Sequence, residues 1–174
     1  EMAKEWAAGK ERDGYANCYE LECDGLRILD LNESEYSILH WLTVLLQNRE
    51  FNVPSGLALE AKEYLIANFA DDSYFSFAQD FINGTISYRQ LNNAMHLGKL
   101  GQQFVLKSES AFERIKFVDS EIVKSDEWYA KKLRRDKAAR SEYFNVERSR
   151  RQRSDLYITQ IMDEEMKPDD PRLR

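Results

Sequence analysis

The pattern of this chain predicts an α+β fold, and three observations carry the prediction. Residues 15–22 alternate, with Tyr15, Tyr19 and Leu21 on one face, as a strand does. Residues 33–48 hold Ile38, Leu39, Trp41, Leu42, Val44, Leu45 and Leu46, apolar nearly all round, as a buried central helix is. The order then runs strands, helices, strands, helices, without the regular strand–helix alternation of a doubly wound sheet.

The opening residues 1–7 read as helix, and Gly9 to Gly14 as a polar linker. After the first strand, Asp24-Gly25 makes a turn into a short second strand at 26–29. Asn32 is placed to cap the central helix, with Glu35 three residues on as its capping-box partner. Pro54-Ser55 restarts the chain into a further helix over 57–69. Tyr74, Phe77, Ala78, Phe81 and Ile82 then form one helical stripe, capped by Asp71 or Asp72 and stopped by Asn83-Gly84. Ser87 starts the next helix, with Leu91, Ala94 and Met95 inward and Gly98 as its terminator. A strand follows at 102–107, with Phe104 and Leu106 on one face and Gln103 and Val105 on the other. A one- to two-turn helix at 108–113 and a strand at 114–118 come next. The long charged helix at 126–147 has a weak stripe of Tyr129, Leu133, Ala139, Tyr143 and Val146. Ser154 is expected to cap a last helix, with Tyr157, Ile158, Ile161, Met162 and Met166 pointing one way and Pro168 stopping it.

At 174 residues with 43% apolar content, the chain is long enough for a core without staples. Cys18 and Cys23 sit five apart in a strand-like run and face opposite sides, which suits two half-buried thiols in a reducing compartment. No run approaches the ~20 apolar residues of a membrane span, so a cytoplasmic, membrane-free protein is expected. The net charge of −6 conceals an asymmetry: residues 1–124 carry 12 basic and 20 acidic side chains, and residues 131–153 carry 10 and 3. The basic block is either a solvated helix face or a patch for an acidic partner protein. Nucleic-acid binding through it is the weaker reading, because no aromatic interleaving or groove-reading motif accompanies it.

No Gly-x-Gly-x-x-Gly, P-loop, His-Glu-x-x-His or Gly-x-Ser-x-Gly motif occurs. His40 is expected as a satisfied core histidine and His96 as a partner for a helix C-terminus. Asp71 and Asp72 are caps or ligand-orienting carboxylates. Gln102 and Gln103 are more telling, as a polar pair opening a strand. An amide does not titrate and cannot act as a base, but it donates to and accepts from a ribose diol. A polar residue on an edge strand is the plainer alternative.

Several blocks together carry a resemblance: Glu-Met-Ala-Lys-Glu-Trp-Ala at 1–7, Tyr-Glu-Leu-Glu-Cys-Asp-Gly-Leu-Arg-Ile-Leu-Asp-Leu at 19–31, His-Trp-Leu-Thr-Val-Leu-Leu-Gln-Asn-Arg at 40–49, Ala-Asp-Asp-Ser-Tyr-Phe-Ser-Phe at 70–77 and Leu-Gly-Lys-Leu-Gly-Gln-Gln-Phe-Val-Leu-Lys-Ser at 97–108. The chain resembles, over roughly residues 1–174 including the closing Asp-Asp-Pro-Arg-Leu-Arg, a bacterial domain-of-unknown-function family of the ADP-ribosyltransferase-like superfamily. The resemblance implies a split β-sheet that clamps NAD between its halves. It also implies a toxin-like setting beside a small antitoxin-like partner. In such proteins an early strand supplies a His, a second a stacking Tyr and a later one a Glu or Gln at the ribose. Only the third has a counterpart here, at Gln103 with Gln102 beside it. The expected catalytic pair is therefore Gln103 and Gln102, and the expected NAD contacts are Gln103, Asp72 and Tyr74, with no metal.

The His and Tyr segments would precede Glu1, and about a dozen family residues are lacking between Phe69 and Ala70. The expectation is thus an incomplete domain, inactive alone: an ADP-ribosyltransferase-like part over 1–124 and a charged helical extension over 125–174. NAD-dependent transfer to a protein, nucleic-acid or small-molecule acceptor is the leading function. A non-catalytic module binding a small acidic or antitoxin-like partner is the alternative.

Overall fold

Two separate sheets organise the chain in a computed structural model that describes residues 1–31, 33, 36–46, 64–68, 75–98, 103–167 and 170–173, with backbone alone at 43–46, 64–68, 75 and 103. The first sheet is a two-stranded antiparallel ribbon of β1 (Gly14–Leu21) and β5 (Ile115–Val123). The second has three strands in the order β2 (Arg27–Asp30), β3 (Tyr64–Asn68), β4 (Gln103–Leu106). Strands β2 and β3 are parallel, and β3 and β4 antiparallel. Helices α1 (Met2–Ala7), α2 (Ile38–Leu46), α3 (Phe75–Ile82), α4 (Tyr88–Met95), α5 (Glu109–Phe112), α6 (Ser125–Asn145) and α7 (Ile158–Asp163) complete the described elements, with 3-10 turns at Glu147–Ser149 and Pro171–Leu173. The α+β class is therefore observed, with a small open sheet.

The core gathers Leu29, Leu31, Trp41, Leu42, Phe77, Phe81, Ile86, Leu91 and Met95, joined from the C-terminal side by Ala139, Tyr143, Ile161 and Leu173. Turn chemistry sets the entries and exits of α3 and α4. Gly84 adopts φ +69, the left-handed conformation that stops α3 without a Cβ penalty. Ser87 then caps α4 reciprocally with Gln90, and Leu91, Ala94 and Met95 point inward. At the other end of the chain, Gly14 lets β1 pass the end of α1. A Cβ there would lie 1.9 Å from the Ala7 carbonyl oxygen.

Several expectations are corrected. The helix expected over 57–69 is contradicted at Tyr64–Asn68, which is the central strand of the second sheet. The Tyr-Leu-Ile-Ala-Asn run there is claimed by pairing on both sides, which overrides local helix preference. The remainder of that expected helix lies outside the described residues, as do Asn32 and Glu35. Helix α2 begins at Ile38 rather than 33, behind Ser37, whose hydroxyl accepts from the Leu39 N–H at 3.3 Å. Cys18, on the ribbon, and Cys23, just past its end, are exposed rather than half-buried. The last helix starts after Tyr157, not at Ser154, and Met162 faces outward while Ile161 is buried. In α6 only Ala139 and Tyr143 of the expected stripe are buried, and Leu133 and Val146 are exposed. Its first turn is fixed by Asp13, which accepts from the Ser125 N–H at 2.9 Å and pairs with Lys124 at 2.6 Å.

Candidate functional site

The parallel pair β2–β3 ends at Asp30 and Asn68, so both carboxyl termini lie at one end of the three-stranded sheet. Strand β4 runs the other way and therefore begins at that end, with the Gln103 Cα in register with Asn68 and Phe104 with Ala67. Among the described residues Gln103 is thus the first residue of an edge strand, beside the ends of two parallel strands. Ligands of open α/β sheets bind outside such carboxyl ends, where backbone and short polar groups converge. Asp30 is half-buried there, between the buried Leu29 and Leu31, and its carbonyl accepts from the Glu33 N–H at 3.2 Å. Phe104 and Val105 are both exposed, so β4 presents apolar surface on each face. Gln102, Asp72 and Tyr74 lie outside the described residues, and of the expected site residues only the Gln103 backbone is placed.

The two histidines are satisfied locally. His40 Nδ1 accepts from the Ser37 N–H at 3.0 Å and lies 3.2 Å from the Ser37 hydroxyl, with Tyr36 packed edge-on at 5.3 Å. Desolvation pushes its pKa below the ordinary histidine value, so at neutral pH the ring is uncharged. It closes the first turn of α2, half-buried rather than in the core. His96 contacts the Asn92 carbonyl oxygen through Nδ1 at 2.6 Å, at the C-terminal cap of α4, as expected of a residue at that helix end. Among the described residues no group of three or more His, Cys, Asp or Glu side chains is disposed to hold a metal.

A polar network that the sequence reading did not foresee fastens the segment after α6 onto α3 and α4. Gln90 is fully buried: its Oε1 accepts from the Ser87 N–H at 2.9 Å, and its Nε2 donates to the Glu147 carbonyl and, at 3.1 Å, to the Arg148 carbonyl. Glu147 accepts from Asn93 Nδ2 at 3.1 Å. Arg89 clamps Asp155 with Nε and NH2 at 2.9 and 3.2 Å and also reaches the Arg150 carbonyl. Burial opposes ionisation of Asp155, but Arg89 and the Gln152 N–H outweigh it and hold the carboxyl below its usual value. Tyr143 stacks on Phe77 at 3.9 Å and donates to Asp80, which Arg148 also engages at 3.1 Å. Burial, together with the Asp80 carboxylate, pushes the Tyr143 phenol well above the normal tyrosine value. The one legible signal was the Ser-x-x-Gln spacing at 87–90, which is a capping box as well as a latch.

The family model described as a protein of unknown function, DUF3990, matches residues 1–117. The chain belongs to the DUF3990 family. The match contains every expected site residue and ends inside β5. The DUF3990 stretch therefore holds both strands of the parallel pair and β4, while Tyr143, Glu147 and Asp155 come from residues after it. No curated protein and no solved structure matches the chain. No helix among the described residues is long and apolar enough to cross a membrane.

Proposed function

We propose that this chain carries the ribose-holding part of an NAD-dependent ADP-ribosyl-transfer domain, with Gln103 as the residue that grips the diol. The carrying observation is the place of Gln103, first in an edge strand beside the carboxyl ends of β2 and β3. In the transfer, the bond between ribose C1′ and nicotinamide breaks with its electron pair on the leaving ring. The acceptor's lone pair then forms the new bond to C1′ and the acceptor loses its proton. The ribose passes through an oxocarbenium-like state, and an amide that both donates and accepts holds the diol as charge develops next to it. Because the amide has no titration near neutrality, this hold is the same from pH 5 to pH 9 or so. Asp72, Tyr74 and Gln102 are the proposed neighbours at the nucleotide. The first-strand His and stacking Tyr have no counterpart in residues 1–174, so binding rather than turnover is the activity assigned to this chain.

Calorimetric titration with NAD tests the reading. Gln103→Ala is expected to weaken binding about tenfold, or ~1.4 kcal/mol, with an unchanged melting temperature. Equal affinity in the variant, or no NAD binding by either protein, overturns it. Labelled NAD is expected to remain unconsumed by residues 1–174.

A second reading, a module that binds a small acidic, antitoxin-like protein, is favoured by exposed apolar surface. On the ribbon, Tyr15 pairs with Ile122 and Tyr19 with Phe117, and all four are exposed, Tyr15 to 68% and Ile122 to 60%. A face of that kind on a two-stranded ribbon is a recognised mark of interaction.

A further inference from the structure

Helix α6 is anchored on α1 and on the core. Its N-terminal half lies on α1: Arg135 pairs with Glu5 and contacts the Met2 sulfur, and the Lys132 ammonium sits 4.0 Å from the Trp6 ring centroid. Its C-terminal half buries Ala139 and Tyr143 against the core. The side about a third of a turn round from Ala139 and Tyr143 carries a different set of residues. Leu133, Lys137, Arg140 and Phe144 follow at spacings of four, three and four, which places them in one line along the helix. Leu133 is 50% exposed and Phe144 52% exposed, so two large apolar side chains stand in water three turns apart with two cations between them. Arg134, exposed beside that line, adds a third cation. Between Leu133 and Phe144 no carboxylate falls on the line: Asp136 pairs with Arg135 and Glu142 lies well round the helix, while Asp126 continues the line two turns back, in the first turn. Arg134 and Lys137 pair with no acidic side chain among the described residues. Just beyond the helix, the Arg148 guanidinium, which pairs with Asp80, lies over Phe144 at 5.9 Å.

We propose that this outward line of α6 is the docking surface for an acidic amphipathic helix of a partner protein. The proposal rests on the second reading above and narrows it to one face and one kind of occupant. Charge complementarity selects that occupant. A helix with carboxylates flanking an apolar stripe meets Arg134 and Lys137 with its charges and Leu133 and Phe144 with its stripe. The rest of the surface repels it, because residues 1–124 are net acidic while 131–153 are strongly basic. A bilayer is a poorer occupant, since an interfacial helix buries a continuous apolar face and here cations separate the only two apolar side chains. A phosphate backbone is poorer too, because it would leave the leucine and phenylalanine against a polar chain.

A labelled peptide as long as α6, 21 residues, with leucines at heptad spacing and glutamates elsewhere, tests the proposal by anisotropy with the whole chain. It should bind at least about tenfold more tightly than a scrambled peptide of the same composition, and weaken as salt rises from about 50 to about 300 mM. Lys137→Glu and the double variant Leu133→Ala, Phe144→Ala should each cost about tenfold or more while the melting temperature stays within ~2 °C. Equal binding of the scrambled peptide overturns the proposal. So does tighter binding of phosphatidylglycerol vesicles or duplex DNA at about 150 mM salt. If the peptide binds but only Tyr19→Ala and Phe117→Ala weaken it, the α6 assignment fails while the interaction-module reading stands.

Discussion

Replacing Gln90 by methionine keeps the length and volume of the side chain and removes all of its hydrogen bonds. The Ser87 N–H and the Glu147 carbonyl, both at fully or nearly fully buried residues, would then lose a partner. The Arg148 carbonyl, which is partly exposed, would regain water. A buried polar group left unsatisfied costs ~1–3 kcal/mol, so two such groups at the lower part of that range, plus the broken capping box, come to about 3 kcal/mol. For a chain of this size that corresponds to a fall in melting temperature of about 6–12 °C. Circular dichroism measures the fall, and amide exchange locates it. Residues 147–155 should lose protection first, because Gln90 is the buried tie between α4 and that segment. A fall of less than ~2 °C, or exchange that speeds up evenly along the chain, would refute the claim that Gln90 is a latch and not just a cap.

Three further outcomes follow from the same structure. Tyr143→Phe should keep the stack on Phe77 but lose the bond to Asp80, at a cost of about 1.5 kcal/mol in chemical denaturation, since Arg148 still satisfies the carboxylate. Asp155 has a depressed pKa in the folded chain, so its contribution is present above the ordinary carboxylate value of about 3.9 and is lost as pH falls below it. Stability measured from about pH 6 to about pH 3 should therefore drop less in Arg89→Met than in the parent protein. Gly14→Ala forces a Cβ against the Ala7 backbone and should destabilise by about 3 kcal/mol, whereas Gly84→Ala, at positive φ in open space, should cost only about 1 kcal/mol.

Local signals in this sequence were easy to read. The turn at Gly25, the stop at Gly84, the start at Ser87 and the strands read at 15–22 and 102–107, observed at Gly14–Leu21 and Gln103–Leu106, depend on dihedral preference, capping and alternation within a few residues. What escaped the sequence depends on distant partners. Tyr64–Asn68 is a strand because β2, some forty positions earlier, and β4, some forty later, pair with it. The long charged helix shows only a weak apolar stripe in sequence, because nothing nearby in the chain announces that Glu5 holds Arg135, Phe77 meets Tyr143, or Gln90 reaches the carbonyls after α6. Tyr15 and Tyr19 were legible as one face, but alternation does not say which face meets water, and here the aromatic one does. Of the candidate site, a strand beginning with the Gln102-Gln103 pair was legible from the Gln-Gln-Phe-Val-Leu pattern, while its placement at the ends of a parallel pair was not.

Titrating the isotopically labelled chain with NAD, observed by amide chemical shifts, puts the ribose-holding claim at greatest risk. Saturable shifts concentrated at Gln103, Phe104 and the end of β2 around Asp30, and abolished in Gln103→Ala, are the predicted result. Shifts that cluster on α6 or the ribbon instead, or that survive the substitution unchanged, would contradict it.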